Sequence, residues 1–104
     1  MKEYSIDYLS TAYIDLAEVI DNLSNVSNTL PERFMSEMDT RVQGLADMPF
    51  MYPEYEDFPL FRKISLMEHL IFYTVTDTSK LIEVHRIISG HMDVIRRLKE
   101  NPIP

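Results

Sequence analysis

The chain has 104 residues, and 45% of them are apolar, enough for one modest hydrophobic core and too many for a disordered chain. It contains no cysteine, which excludes disulfides and zinc–thiolate sites and suits a reducing cytoplasm. The net charge of −7 argues against general binding to nucleic acid. No signal-peptide core and no apolar run of about 18 residues is present. We therefore expect one domain, residues 1–104, in the cytoplasm and without a membrane partner.

Charge is distributed unevenly along the chain. Residues 1–59 contain twelve acids and three bases, a net charge of −9, whereas residues 60–104 contain five acids and seven bases, a net charge of +2. The two halves could present different faces to different partners. Solvated acidic helix surfaces explain the same imbalance without any partner.

The N-terminal part predicts a strand followed by two helices. Residues 3–8 alternate between apolar and polar side chains, which predicts a half-buried strand. Residues 11–25 place apolar side chains at helical spacing, with Ser10 as the predicted N-cap. Thr29 and Glu32 match a capping box that opens a second helix. The apolar stripe of that helix consists of Leu30, Phe34, Met38, Val42 and Leu45. Together the two helices form a hairpin whose stripes pack on a sheet.

Residues 48–59 contain three of the six prolines and predict a solvated loop. Glu54, Glu56 and Asp57 cluster in this loop without metal-ligand spacing. We therefore expect neither a metal nor another cofactor.

The remaining chain predicts a meander of three strands at residues 60–66, 70–75 and 81–88, then a short helix at 92–101. In the second strand, Ile71, Tyr73 and Val75 point away from Leu70, Phe72 and Thr74. One of these sets needs cover that the helix hairpin cannot provide. A partner segment, the tail helix or a second copy of the chain could supply it.

In the third strand, alternation divides the side chains between two faces. One face carries Ile82, Val84, Arg86 and Ile88, and the other carries Glu83, His85 and Ile87. The predicted fold class is α+β, a small and mainly antiparallel sheet with a two-helix hairpin on one face. The element order is β-α-α-β-β-β with a short C-terminal helix.

This order resembles the toxins of the bacterial RelE/ParE superfamily across nearly the whole chain. The first helix has the Ala–x3–Leu spacing, and the second ends in a leucine followed by proline. An arginine on the next strand precedes an apolar Ile-Phe-Tyr, and the last strand closes in R-I-I-S-G-H-M-D. These features are Ala12 and Leu16, Leu45 and Pro49, Arg62, Ile71 to Tyr73, and Arg86 to Asp93.

The resemblance implies the toxin of a type II toxin–antitoxin (plasmid stabilisation) system, neutralised by a cognate antitoxin protein. RelE-like toxins cleave mRNA on the ribosome, whereas ParE-like toxins inhibit DNA gyrase without cleaving RNA. The closing motif is more similar to the ParE-like ending, so we expect action by protein binding. The nuclease and a non-toxic binding module of the same fold remain as alternatives, and so do a homodimer and a toxin–antitoxin hetero-oligomer.

The resemblance also suggests the site residues. A nuclease would use Arg62 and Arg86 for the phosphate charge and His91 as the acid–base group. Partner binding would use the basic edge of the sheet and the tail, that is Arg62, Tyr73, Arg86, Arg96, Arg97 and Lys99. For Arg86 and Arg62, pairing with an acid inside the fold is the structural alternative.

Overall fold

The computed structural model describes residues 3–89 and Leu98. Its elements are β1 (Ser5–Tyr8), α1 (Ser10–Ser24), α2 (Leu30–Gly44), β2 (Arg62–Leu66), β3 (His69–Thr76) and β4 (Leu81–Ser89). The four strands form one sheet in the order β1-β4-β3-β2, with β1 parallel to β4 and the other two pairings antiparallel. The predicted α+β class and mainly antiparallel sheet are confirmed. The predicted tail helix lies outside the described residues, apart from Leu98.

One face of the sheet lies under the helix hairpin. Helix α1 packs on β4, and α2 packs on α1 and β2. We call the core between them the helix-side cluster; its buried members are Ala12, Val19, Phe34, Met38, Val42, Leu45, Ile64, Leu66, Ile71, Tyr73, Ile82, Val84 and Ile87. Each large apolar side chain buried here contributes about 1.5–3 kcal/mol to folding. Ile6 and Tyr8 of β1 pack against this cluster as their alternation predicts, and the predicted stripe of α2 is buried in it from Phe34 to Leu45, without Leu30.

The helix starts differ from their predicted form. Ser10 is the first residue of α1 and Leu9 is its N-cap, so Ser10 is not the cap. Thr29 does occupy the N-cap of α2, but no side-chain cap bond forms. Its φ of −96° and ψ of −22° are helical, whereas a capping side chain needs extended backbone. The Thr29 hydroxyl instead lies 3.0 Å from that of Ser27.

The other face of the sheet is covered by an irregular segment. We call residues 48–60 the proline loop. The core on this face is the loop-side cluster, whose buried members are Phe61, Phe72, Ile88 and Leu98, with Tyr55, Phe58 and Leu70 packed against them. The expectation of a wholly solvated loop is therefore wrong: its acids are exposed, but two of its aromatic rings cover the sheet. Leu98 shows that the tail contributes to this cover as well.

The proline loop also runs along the outer edge of β2. The amide of Lys63 donates to the carbonyl of Pro53 at 3.2 Å, and that of Tyr55 donates to Phe61 at 2.7 Å. An isolated antiparallel bridge joins Glu54 to Arg62. This pairing occupies part of the hydrogen-bonding edge that β2 would otherwise expose.

A β-bulge interrupts the pairing of β3 with β4. Phe72 pairs with Arg86 and Tyr73 pairs with Val84, so His85 is the residue inserted between these two register pairs. An extra residue changes the alternation beyond it. The predicted faces of β4 hold for Ile82 and Val84, but Ile87 then joins the helix-side cluster and Ile88 the loop-side cluster. The predicted alternation is wrong beyond the bulge.

Candidate functional site

Arg86 forms a buried ion pair that joins β4 to α1. Its Nε donates to Asp15 Oδ2 at 2.7 Å, and its Nη2 donates to Oδ1 at 3.1 Å. The two side chains are 9% and 11% exposed. Asp15 also accepts the backbone N–H of Ile87 at 3.0 Å. The guanidinium is therefore held inside the fold by a bidentate, charge-assisted contact.

Sequence analysis did not single out Asp15, although the sequence contains a signal. Asp15 lies three residues after Ala12 and four before Val19, and all three are buried on the same face of α1. An acid in a buried stripe needs a partner, because an unpaired buried charge is costly. Arg86, a base directly before the apolar Ile87 and Ile88, is the complementary signal.

Arg62 organises the proline loop. Its Nη1 donates to the carbonyl of Tyr52 at 2.7 Å and to that of Phe50 at 3.4 Å. Its guanidinium carbon lies 5.0 Å from the centre of the Phe50 ring, and Nη2 lies 3.7 Å from a carboxylate oxygen of Glu54. The Arg62 side chain is 21% exposed. The guanidinium therefore supports the loop through two carbonyls, one ring and one carboxylate.

Tyr73 is placed in the core. Its side chain is fully buried, and its hydroxyl donates to the carbonyl of Pro49 at 3.0 Å. Burial raises the pKa of Tyr73 to about 12, against the opposing effect of the nearby Arg62 charge. The structure therefore corrects the expectation of a surface residue: Tyr73, like Arg62, holds the start of the proline loop in place.

His85, at the bulge, lies within the loop-covered face. Its Nε2 is 2.9 Å from the hydroxyl of Thr74, and its ring meets Phe61 edge-on at 5.0 Å. Burial lowers the pKa of His85. This environment favours a neutral, structural imidazole.

A small cavity adjoins the ion pair. It is lined by Asp15, Glu18, Val19, Asn22, His69, Arg86, Ile87, Ile88 and Ser89. Its volume of about 70 Å³ is far below the roughly 300–1,000 Å³ of a small-molecule site. Within residues 3–89 and Leu98, no group of three potential metal ligands from His, Cys, Asp and Glu occurs. Nor does the described part of the chain contain a helix long and apolar enough to cross a membrane.

The structure brings together some of the predicted site residues. Arg62 and Tyr73 are register partners on β2 and β3, and both bind the proline loop. Arg86 is bound to α1 instead. The other predicted residues, His91, Arg96, Arg97 and Lys99, lie outside the described residues, and their roles remain predictions.

The chain is similar to one protein family and to several solved structures. The sequence profile of the family described as "ParE toxin of type II toxin-antitoxin system, parDE" matches residues 6–94. A free-state mutant of the E. coli toxin RelE aligns with a TM-score of 0.68 at 14% identity, covering 93% of both chains. A chain of the chromosomal ParDE toxin–antitoxin system from P. aeruginosa gives 0.66 at 18% identity, covering 83% of this chain and 95% of its own.

The toxin–antitoxin complex RelBE2 from Mycobacterium tuberculosis contains a further similar chain. Its TM-score is 0.62 at 16% identity, and the alignment covers 86% of this chain and 95% of the other. A comparison with curated protein sequences gave no match. At such low identities, the structural similarities establish the fold alone.

Proposed function

The chain belongs to the ParE toxin family of type II toxin–antitoxin systems, and on that premise we propose that it inhibits DNA gyrase by binding it, rather than cleaving RNA. It is a toxin, and the first partner that we propose for it is its cognate antitoxin. We further propose that residues 1–104 act as one domain in the cytoplasm. For its assembly, a homodimer and a toxin–antitoxin hetero-oligomer are the two alternatives that we propose.

The observation that carries this proposal is the bidentate contact between Arg86 and Asp15. Cleavage of RNA needs cations that can approach the reacting phosphate. For Arg86 to do so, it would have to leave Asp15 buried and unpaired, and breaking such a pair costs about 3–5 kcal/mol. Arg62 is also occupied, because it donates to two loop carbonyls. Neither arginine predicted for catalysis is thus poised for a phosphate.

Charge supports the same conclusion. A protein that binds ribosomal RNA gains affinity from Lys and Arg that neutralise phosphates. This chain has a net charge of −7, and twelve of its seventeen acids lie in residues 1–59. A protein target with basic surface suits it better than a polyanion.

The experiment is induced expression in a sensitive bacterial host, with pulse labelling of DNA and protein synthesis soon after induction. Gyrase inhibition predicts an early arrest of DNA synthesis and filamentous cells, and the purified chain should block supercoiling by gyrase. Co-expression of the antitoxin should relieve both effects. An early arrest of protein synthesis, with cleaved mRNA, would contradict the proposal and favour the nuclease.

Asp15→Ala and Arg86→Ala form a matched pair of variants for this experiment. If Arg86 acts through the fold, both variants lose toxicity in parallel with stability. A nuclease in which Arg86 touches the phosphate predicts a larger loss for Arg86→Ala than for Asp15→Ala at equal folded fraction. His91→Ala tests the remaining acid–base candidate, and growth unaffected by soluble wild-type protein would favour the non-toxic binding module.

A further inference from the structure

Of the eight large apolar side chains that are exposed among the described residues, four lie in the proline loop. Met48 is 59% exposed, Phe50 and Met51 are each 50% exposed, and Leu60 is 61% exposed. Three of these lie within four consecutive residues, in a turn closed by the Met51 N–H and the Met48 carbonyl at 3.3 Å. Exposed apolar patches of this kind mark interaction sites, and methionines adapt their shape to a partner.

The backbone of the loop is fixed beneath these side chains. The Tyr73 hydroxyl holds the carbonyl of Pro49, and Arg62 holds that of Tyr52. Further along, the backbone bonds to β2 hold Pro53 and Tyr55. A surface whose geometry is set before binding loses less conformational entropy when a partner docks. The side chains are therefore displayed by a rigid support.

The charge around the loop defines the chemistry of the occupant. Residues 42–61 contain four acids, Asp47, Glu54, Glu56 and Asp57, and no Lys or Arg. The two bases that contact the loop, Arg62 and Lys63, lie over its Phe50 and Tyr55 rings. All four acids are exposed. A nucleic acid would be repelled by this segment, whereas lysines or arginines around an apolar pocket would complement it.

We propose that the proline loop is the surface that docks the cellular protein target, on a patch of that target where basic side chains border an apolar pocket. This inference rests on the proposed action by protein binding and deepens it. Arg62 and Tyr73 are then positioning residues, which act through the loop they hold rather than by touching the target.

Two pairs of loop variants test the inference. Phe50→Ser with Met51→Ser removes apolar anchors, and Glu56→Lys with Asp57→Lys reverses two charges. The control for the apolar pair is Ile14→Ser with Val26→Ser, at side chains 66% and 75% exposed in α1 and the turn after it. The control for the charge reversal is Asp21→Lys with Asp39→Lys. Thermal unfolding and antitoxin co-purification establish that each full-length variant is folded.

Toxicity is measured without antitoxin, as the inducer concentration that halves growth. The affinity of each variant for purified gyrase is measured separately. Both loop variants should need at least about tenfold more inducer and bind gyrase about tenfold more weakly. They should still co-purify with the antitoxin, and the controls should behave as wild type.

Loop variants that are as toxic as wild type would overturn the inference. So would loop variants that lose the antitoxin but keep toxicity, because the loop would then be an antitoxin surface. A wild-type dimer in sedimentation that the loop variants abolish would identify a second copy as the occupant and also overturn it.

Failure of the proposed gyrase target is distinguishable from failure of the loop. If wild type arrests protein synthesis, the proposed gyrase target is wrong. The loop is then tested only by the expected tenfold increase in the inducer concentration that halves growth. If soluble wild type arrests nothing and binds no gyrase, both proposals fail.

Discussion

The two faces of the sheet are built by different means. The helix-covered face is packed by regular elements, α1 and α2, whose apolar stripes repeat at helical spacing. The loop-covered face is packed by aromatic rings of an irregular segment, chiefly Tyr55 and Phe58, and by Leu98. On the helix-covered face, the helical repeat brings the apolar side chains into line with the sheet. The loop-covered face depends on individual anchors that tie the loop backbone to the sheet.

Each face has its own polar anchors. Asp15 and Arg86 tie helix α1 to β4 by an ion pair. The start of the proline loop is held by Arg62 and by Tyr73, a member of the helix-side cluster, which both bind loop carbonyls. On the loop-covered face, His85 meets Thr74 beneath Phe61. The charged anchor should be the more costly to break, because it leaves a buried charge unpaired. The following predictions test this difference.

The largest effect is expected at the ion pair. Asp15→Ala and Arg86→Ala should each lower the free energy of unfolding by about 3–5 kcal/mol, measured by urea denaturation. The double variant should lose less than the sum, because it leaves no orphaned charge. As a control, Arg33→Ala breaks the exposed pair with Glu37 and should cost below about 1 kcal/mol. Equal losses at the two pairs would contradict this account.

A smaller and more local effect is expected at the start of the proline loop. Tyr73→Phe removes the donor to the Pro49 carbonyl and should cost about 1–3 kcal/mol. Amide hydrogen exchange should accelerate at Tyr55 and Lys63, whose N–H groups join the loop to the chain that follows it, more than in α2. Tyr13→Phe, at a ring 58% exposed, is the control. Uniform acceleration across the chain would show that the hydroxyl supports the whole fold and not the loop.

A pH dependence is expected from the loop-covered face. Because burial lowers the pKa of His85, the folded state binds this proton less readily than the unfolded state. The stability from neutral His85 is therefore complete above the unfolded pKa of about 6.5 and is lost as the pH falls through the lower folded value. His85→Gln should flatten the stability profile below about pH 6.5. An unchanged slope in that variant would assign the dependence to other groups.

The smallest effect is expected at the hairpin turn between β2 and β3. Met67 and Glu68 have φ values of 47° and 63°, the left-handed region that favours glycine. Glu68→Gly should raise the free energy of unfolding by about 0.5–1 kcal/mol. Ser65→Gly, in a strand, should lower it by a similar amount. A loss of stability in Glu68→Gly would mean that the glutamate side chain makes a contribution that outweighs the backbone strain.

The helix-covered face was largely predictable from the sequence. Phe34, Met38 and Val42 are buried as their spacing predicts, and β3 divides its side chains between the two clusters as alternation requires. The bulge at His85 was not predictable, because an inserted residue is set by the pairing of β4 with its neighbour. Alternation therefore placed Ile87 and Ile88 on the wrong faces.

The candidate site was less predictable than the fold. The sequence points to Arg62, Tyr73 and Arg86 as site residues and offers pairing with an acid as the alternative for both arginines, which the structure confirms for Arg86. It does not identify the partners of any of the three. Asp15 is 71 residues away from Arg86 along the chain, and no local pattern joins them. The loop aromatic residues lie in a segment without periodicity, so their burial left no regular signal.

By itself, the sequence determined the order of strands and helices, the two-helix hairpin and the resemblance to RelE/ParE toxins. These follow from local rules, because helical and strand geometry repeat along the chain. The tertiary structure alone decided that Arg86 is paired, that Tyr73 is internal and that the proline loop covers one face while it exposes Met48, Phe50, Met51 and Leu60. Those outcomes depend on groups far apart in sequence that meet through the packing of the sheet.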